Sequence, residues 1–232
     1  MLVKNWMSKP VISADVTDTI KTANILLAKH KIRSLPVLEN GKLVGIVTDR
    51  DLKRVSISDN AGLEEHELIY MNTRIKVGEI MTKNPIVISP NLTMEQVAKV
   101  LYSKKISGLP VVDDSGRLVG MISQGDVFRL LISVTGIEDK GLQIAIQIKD
   151  ESGSIKEIAD IIRSFGGRVR NLLTSYENVP DGFRNVYFKT SQLDSTRLDD
   201  FISELRGKGK LRYILDYPGD NKEAKVLLME IT

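Results

Sequence analysis

The stretch Leu35-Pro36-Val37, running on through Gly41-Lys42-Leu43-Val44-Gly45-Ile46-Val47-Thr48-Asp49-Arg50-Asp51, returns later as Leu109-Pro110-Val111 and Gly116-Arg117-Leu118-Val119-Gly120-Met121-Ile122-Ser123-Gln124-Gly125-Asp126. Gly45 and Gly120 stand 75 positions apart. A repeat that keeps its proline, both glycines and a closing hydroxyl-x-x-carboxylate is one structural unit built twice. Upstream of each stretch the same signals recur. A short apolar strand is predicted at Val11-Ile12 and at Ile86-Val87-Ile88, behind Pro10 and Pro85. Thr17 and Thr93 are placed to cap helices whose apolar residues fall at helical spacing, Ile20, Ala23 and Leu27 in one copy and Met94, Val97, Ala98 and Leu101 in the other. Gln96 gives Thr93 a capping box.

Those helices end before Ile32 and Ile106, where strands begin at Leu35 and Leu109. Turns at Glu39-Asn40-Gly41 and at Asp113-Asp114-Ser115-Gly116 fold each strand into a hairpin with the next, and a second helix opens at Thr48 or Ser123. The unit reads β-α-β-β-α, and its sheet leaves an apolar face that one copy cannot cover. The copies span residues 1–57 and 77–136, and residues 58–76 form a polar loop followed by a linking helix over Leu63 to Ile75.

A different pattern starts at Gly141. Leu142, Ile144, Ile146 and Ile148 alternate as a half-buried strand, then Ile155, Ile158, Ala159 and Ile162 repeat as a helix that Gly166-Gly167 stops. Strands at Arg168 to Tyr176 and Phe183 to Thr190 flank the turn Pro180-Asp181-Gly182. A helix through Leu198, Phe201, Ile202 and Leu205 closes at Gly207, and Leu211 to Tyr217 is a last strand. Residues 141–217 therefore read β-α-β-β-α-β, a ferredoxin-like arrangement, and in the tail, 218–232, Val226-Leu227-Leu228-Met229 can add an edge strand. The fold class is α+β throughout.

The chemistry concentrates where a strand turns into a helix, at Gly45-x-x-Thr48-x-x-Asp51 and Gly120-x-x-Ser123-x-x-Asp126. A helix start offers unpaired backbone N–H groups and the positive end of its dipole, which suit a phosphate. A hydroxyl there can add a donor, and a carboxylate one turn on can accept both hydroxyls of a ribose. The same residues are also a plain helix cap, and what raises them to a site is their double occurrence in matched context. Arg50 and Arg54 stand beside Asp51 as phosphate partners or as a solvated helix face; the second copy has Gln124-Gly125 before Asp126 and Arg129 a turn later. The two segments are therefore unequal, the first offering more partners for a phosphate.

The combined pattern, with Met7-Ser8 and Met81-Thr82 at the unit starts, resembles the CBS domain, and the two copies resemble a CBS pair, or Bateman module. The resemblance implies a disc with two clefts for adenosine-containing ligands such as AMP, ADP, ATP or S-adenosylmethionine, and the difference between the copies then makes the clefts unequal, the first suited to a phosphorylated nucleotide. It assigns Asp51 and Asp126 to ribose hydroxyls, Thr48 and Ser123 to phosphate or ribose, and the backbone around Ile12, Ser34, Leu35, Val87, Gly108 and Leu109 to the adenine. Residues 141–217 resemble an ACT domain, whose ligand loop is matched here by Asp150, Gly153 and Ile155, with Ser152 where that family commonly has proline. That resemblance implies dimerisation or higher homo-oligomerisation and an amino acid or small carboxylate as a second ligand. The order CBS, CBS, ACT, with the spacer Glu64-Glu65-His66-Glu67-Leu68, is similar to the acetoin-utilisation regulatory family of bacteria.

Composition narrows the alternatives. A net charge of +3 spread over 33 basic and 30 acidic side chains makes no basic stripe for nucleic acid. The absence of cysteine removes disulfides, thiolate metal sites and Cys nucleophiles, and His30 and His66 read as helix surface rather than metal ligands. No phosphate-loop, nucleophile-elbow or dinucleotide signature occurs, so no catalytic residue and no cofactor is assigned. No apolar run reaches the length of a membrane span, and a cytoplasmic protein is expected. The expected function is a non-enzymatic ligand sensor acting on a regulated protein; the alternatives are a ligand-free dimerisation module and a nucleotide-processing enzyme.

Overall fold

A computed structural model describes residues 1–58, 74–191, 193, 195–219 and 223–230. The helix expected over 63–75, and His66 with it, lies largely or wholly outside the described residues. The chain divides into two compact units, Met1–Phe128 and Arg129–Thr232.

In the first unit the first copy runs β1 (Ala14–Asp15), α1 (Ile20–His30), β2 (Ser34–Glu39), β3 (Lys42–Thr48) and α2 (Asp49–Ser58). The second begins with a single turn, α3 (Val77–Ile80), and β4 (Thr82–Lys83), then runs α4 (Met94–Lys104), β5 (Gly108–Val112), β6 (Leu118–Ser123) and α5 (Gln124–Thr135), whose residues from Arg129 on belong to the second unit. Ile20, Ala23 and Leu27 of α1 are buried against Leu35, Val37 and Val47, as their spacing requires. The β2–β3 hairpin turns through Asn40 and Gly41, both at positive φ (51° and 77°), the two-residue turn whose twist suits paired strands.

Two expectations need correction. The first strand is not Val11-Ile12 but Ala14–Asp15, paired in parallel with Val37 and Leu38, and Ile86-Val87-Ile88 contributes only a bridge from Ile88 to Val111. Val11 and Ile12 are left half-buried, without a ladder partner, because β2 takes the residues that follow them. The α1 cap is Thr19, which accepts from Thr22 N at 3.2 Å, whereas Thr17 donates its hydroxyl to Asp15 in the preceding turn. Thr93 caps α4 with the expected reciprocal bond from Gln96.

The leading segments of the copies are exchanged. β4 extends the sheet of the first copy to β1-β2-β3-β4, pairing Lys83 with Gly45, and Val77 is buried in that copy's core. In return Ser8 pairs with Met121, and Val3 N donates to Leu92 O. The repeated glycines explain the exchange, since a Cβ on Gly45 would collide with Met81 Sδ and one on Gly120 with Met7 Sδ. Gly45→Ala should therefore cost about 1–3 kcal/mol by overpacking, read as a lower denaturation midpoint at unchanged slope. An unchanged midpoint would show that Met81 moves aside freely.

The second unit runs β7 (Gly141–Lys149), α6 (Ser154–Ser164), β8 (Arg168–Ser175), β9 (Phe183–Ser191), α7 (Leu198–Arg206), β10 (Lys210–Tyr217) and β11 (Lys225–Met229). Its sheet order is β11-β10-β7-β9-β8 with every neighbouring pair antiparallel. That is the ferredoxin-like topology, with the tail as the expected edge strand. Ile144, Ile146 and Ile148 pack with Ile158, Ile162, Phe165, Phe201 and Leu205.

Among the buried side chains of this unit Lys189 is anomalous: it is 4% exposed, its Nζ lies 3.6 Å from the Tyr217 ring centroid, and it has no hydrogen-bond partner among the described residues. Burial pushes its ammonium below the ordinary lysine value of 10.5, while Asp139 and Asp216 pull it back up. The folded chain thus favours the neutral amine more than the unfolded chain does. Stability from this group is gained as pH rises from the folded to the unfolded value. Lys189→Met should raise the melting temperature at neutral pH and lose that rise. If wild type and variant melt in parallel as the pH is raised toward 10, Lys189 is not the source.

Candidate functional site

Both hydroxyl-x-x-carboxylate segments form the same small structure. Thr48 N and Oγ1 donate to Asp51 Oδ2 at 3.0 and 2.7 Å, and Asp51 N donates back to Thr48 Oγ1 at 3.3 Å. Ser123 and Asp126 repeat it at 2.8, 2.7 and 3.4 Å. The helix starts are fixed from outside as well: Asp49 N donates to Arg33 O and Gln124 N to Ser107 O, each at 3.0 Å. This is a strand end locked onto a helix cap.

The lock alters the chemistry expected of the hydroxyls. Each hydroxyl has one proton, and here it goes to the neighbouring carboxylate, so neither Thr48 nor Ser123 has a proton left to donate to a phosphate. What remains for an anion is backbone N–H, the helix dipole and cationic side chains. Asp51 Oδ2 is filled by Thr48, while Oδ1 takes Arg54 Nη2 at 3.3 Å and keeps a lone pair for one more donor.

Two cavities flank these caps. One, of about 500 Å³, is lined by Thr48, Arg50, Asp51 and Arg54 from the first copy and by Gly108 and Leu109 from the second. The other, of about 430 Å³, is lined by Ser123 and Asp126 from the second copy and by Ile12 and Ser34 from the first. Each cleft therefore joins the helix start of one copy to the strand start of the other. Leu35 and Val87 line neither: Leu35 is fully buried in the first copy's core, and Ile86 faces the first cleft where Val87 was expected.

Several lining residues escape the sequence reading. Lys31 faces one cleft and Lys105 the other, each just past a helix end in the left-handed conformation (φ 53° and 54°). Arg33 and Ser107 line both, as does Gln124, which the sequence already sets beside Asp126. Their signal is the aligned pair Lys31-Ile32-Arg33-Ser34 and Lys105-Ile106-Ser107-Gly108, directly upstream of the Leu-Pro-Val repeat. The first cleft holds Arg33, Arg50, Arg54 and Lys105 against Asp49 and Asp51. The second holds Lys31 and Arg33 against Asp126, beside the apolar Val11, Met121 and Phe128. They are unequal in charge, the first being the more cationic.

In the second unit Asp150 of the expected ligand loop is engaged by Arg184, whose Nε lies 3.3 Å from Asp150 Oδ1 and whose Nη2 donates to Ser154 Oγ at 3.1 Å. Gly153, at φ 91°, precedes α6, Ser152 is exposed, and Ile155 packs against the unit's core. Among the described residues of the chain, no helix is long and apolar enough to cross a membrane.

The CBS domain family model matches residues 3–58 and 77–133. The chain is 36% identical over 135 residues to a CBS domain-containing protein of Dictyostelium discoideum, covering 58% of this chain and 93% of that one. Among solved structures, the CBS-pair protein CBSX2 from Arabidopsis thaliana is 27% identical with a TM-score of 0.50, over 58% of this chain and 96% of that one. The CBS domain pair of protein MJ0100, solved in complex with 5′-methylthioadenosine and S-adenosyl-L-methionine, is 35% identical with a TM-score of 0.48, over 57% of this chain and 97% of that one. Two copies of one unit with exchanged leading segments and matched caps, and a relative alike over nearly its whole length, mean that this chain belongs to the CBS domain family, as a tandem pair.

Proposed function

We propose that the chain is a regulatory ligand sensor without catalytic activity, whose CBS pair binds adenosine-containing ligands in the two clefts. The observation that carries this is the cross-copy construction: each cleft sets a helix start and a carboxylate opposite the other copy's strand start. Adenine fits between the copies, the ribose reaches Asp51 or Asp126, and a phosphate meets the helix N-terminus. The more cationic first cleft takes the phosphorylated ligand, AMP, ADP or ATP. A phosphate there is held by Arg50 and Lys105 rather than by the Thr48 hydroxyl. The second cleft, more apolar and less charged, takes a phosphorylated ligand more weakly, on Lys31 and Arg33, and also suits S-adenosylmethionine.

The ferredoxin-like unit is read as an ACT domain that joins two or more copies of the chain and passes the state of the pair to a regulated protein, as in the acetoin-utilisation regulatory family. Its loop, with Asp150 tied to Arg184, favours dimerisation over binding an amino acid or small carboxylate. Ligand transmits a signal only if its affinity differs between two arrangements of the protein.

One observation favours a second reading, a ligand-free interaction module: the cap bonds account fully for Thr48 and Ser123 without a ligand. Calorimetric titration with AMP, ADP, ATP and S-adenosylmethionine separates the two. The sensor reading expects at least one dissociation constant below about 1 mM, equivalent to roughly 4 kcal/mol of binding. Heat of dilution alone from all four would leave the interaction module.

A further inference from the structure

The two clefts are separate cavities with one wall in common, and the composition of that wall bears on how they fill. Arg33, Ser34, Ser107 and Gln124 line both. Arg33 and Ser107 are equivalent positions, each holding the helix start of its own copy through its carbonyl at 3.0 Å, so the backbone at the wall is symmetric. The side chains are not. One copy supplies a guanidinium where the other supplies a hydroxyl, and Arg33 is the one charged group among the four.

We propose that Arg33 is a single cation shared by the two clefts, so that a phosphate-bearing adenosine ligand in either cleft weakens the binding of a second in the other. The proposal rests on the nucleotide reading of the clefts. A guanidinium presents its donors in one rigid planar fork, which grips one phosphate at a time. A second phosphate on the far side of the wall finds that fork turned away, and meets the first phosphate's charge with only one positive charge between them. Arg50 and Lys105 serve only the first cleft and Lys31 only the second, so neither cleft has a substitute on the common wall. None of the ion pairs among the described residues includes Arg33, so none holds it to one side. Uncharged adenosine makes no claim on the guanidinium and should bind without this penalty.

Titration of AMP into wild type, into Asp51→Ala and Asp126→Ala as single-cleft forms, and into Arg33→Ser tests this, with circular dichroism melts to verify folding and Asp→Asn forms in place of any alanine variant that does not fold. In wild type the second AMP should bind about tenfold more weakly than the weaker of the two single-cleft values, a usual size for coupling between sites. With adenosine as the probe, and in Arg33→Ser with AMP, that extra weakening should vanish. Complete exclusion, one AMP per wild-type chain although both single-cleft forms bind, is the same result at its limit. A wild-type isotherm equal to the sum of the single-cleft isotherms, a tighter second step, a weakening that survives Arg33→Ser, or a second cleft that binds nothing in its single-cleft form overturns the coupling and leaves the nucleotide reading standing. Absence of AMP binding in every form overturns both.

Discussion

Phe201→Ala should lower the stability of the ferredoxin-like unit by about 3–5 kcal/mol, the usual cost of emptying a large aromatic site in a packed core. Phe201 is fully buried and meets Phe165 edge to face, with ring centroids 5.3 Å apart at 61°. The substitution therefore loses the transfer free energy of the ring and the quadrupolar contact with Phe165, and leaves a cavity. Around it stand Ile158, Ile162 and Leu205, drawn from both helices of the unit. These branched side chains are held by their own helices and cannot collapse far into the gap. The loss should appear as faster amide exchange at Ile144, Ile146 and Phe188, the strand residues beneath the helices. Phe201→Leu keeps most of the volume and should cost less than half as much. A loss below about 1 kcal/mol for the alanine variant would show that the core around Phe165 is loosely packed and refills.

How far such features could be read from the chain depends on the range of the interaction behind them. Helical spacing is local, so α1, α4, α6 and α7 were legible, as were the hairpins marked by Asn40-Gly41 and Asp113 to Gly116. The strict alternation from Leu142 to Ile148 announced a strand with one buried face, and its antiparallel partners followed from the order of the elements. The first strand was misplaced because pairing there is decided by which residues β2 can reach, a tertiary choice that takes Ala14–Asp15 over the more apolar Val11-Ile12. Thr17 and Thr19 are both acceptable caps by type, and the turn Asp15–Thr17 uses the first of them. The exchange of leading segments had a signal that is plain only afterwards: a glycine in the middle of an apolar strand, twice, with a methionine near each unit start. At the clefts, the caps were legible because they are local. The common wall of Arg33, Ser107 and Gln124 was not, since it exists only once two copies meet.

Asp51→Ala should lower AMP affinity at the first cleft by about 10- to 100-fold, in line with the roughly 1.5–3 kcal/mol that a hydrogen bond to a charged group contributes. The difficulty is that Asp51 also caps α2, and losing that cap costs about 0.5–2 kcal/mol of stability whatever binds there. A fall in affinity could then reflect a frayed helix start rather than a missing ribose contact. Asp51→Asn separates the two effects. Its amide oxygen can replace Oδ2, which accepts from Thr48 N at 3.0 Å and from Thr48 Oγ1 at 2.7 Å, so the cap survives. The amide nitrogen then stands where Oδ1 stood, and a donor replaces the acceptor that Arg54 and a ribose hydroxyl would share. The asparagine variant should therefore melt close to wild type and still lose most of the AMP affinity lost by alanine. Ser123 and Asp126 form the same cap, so Asp126→Asn should act on the second cleft in the same way and leave the first near its wild-type affinity. If Asp51→Asn binds AMP as tightly as wild type while Asp51→Ala does not, the carboxylate serves the helix and not the ribose, and the cap alone explains why the pattern occurs twice.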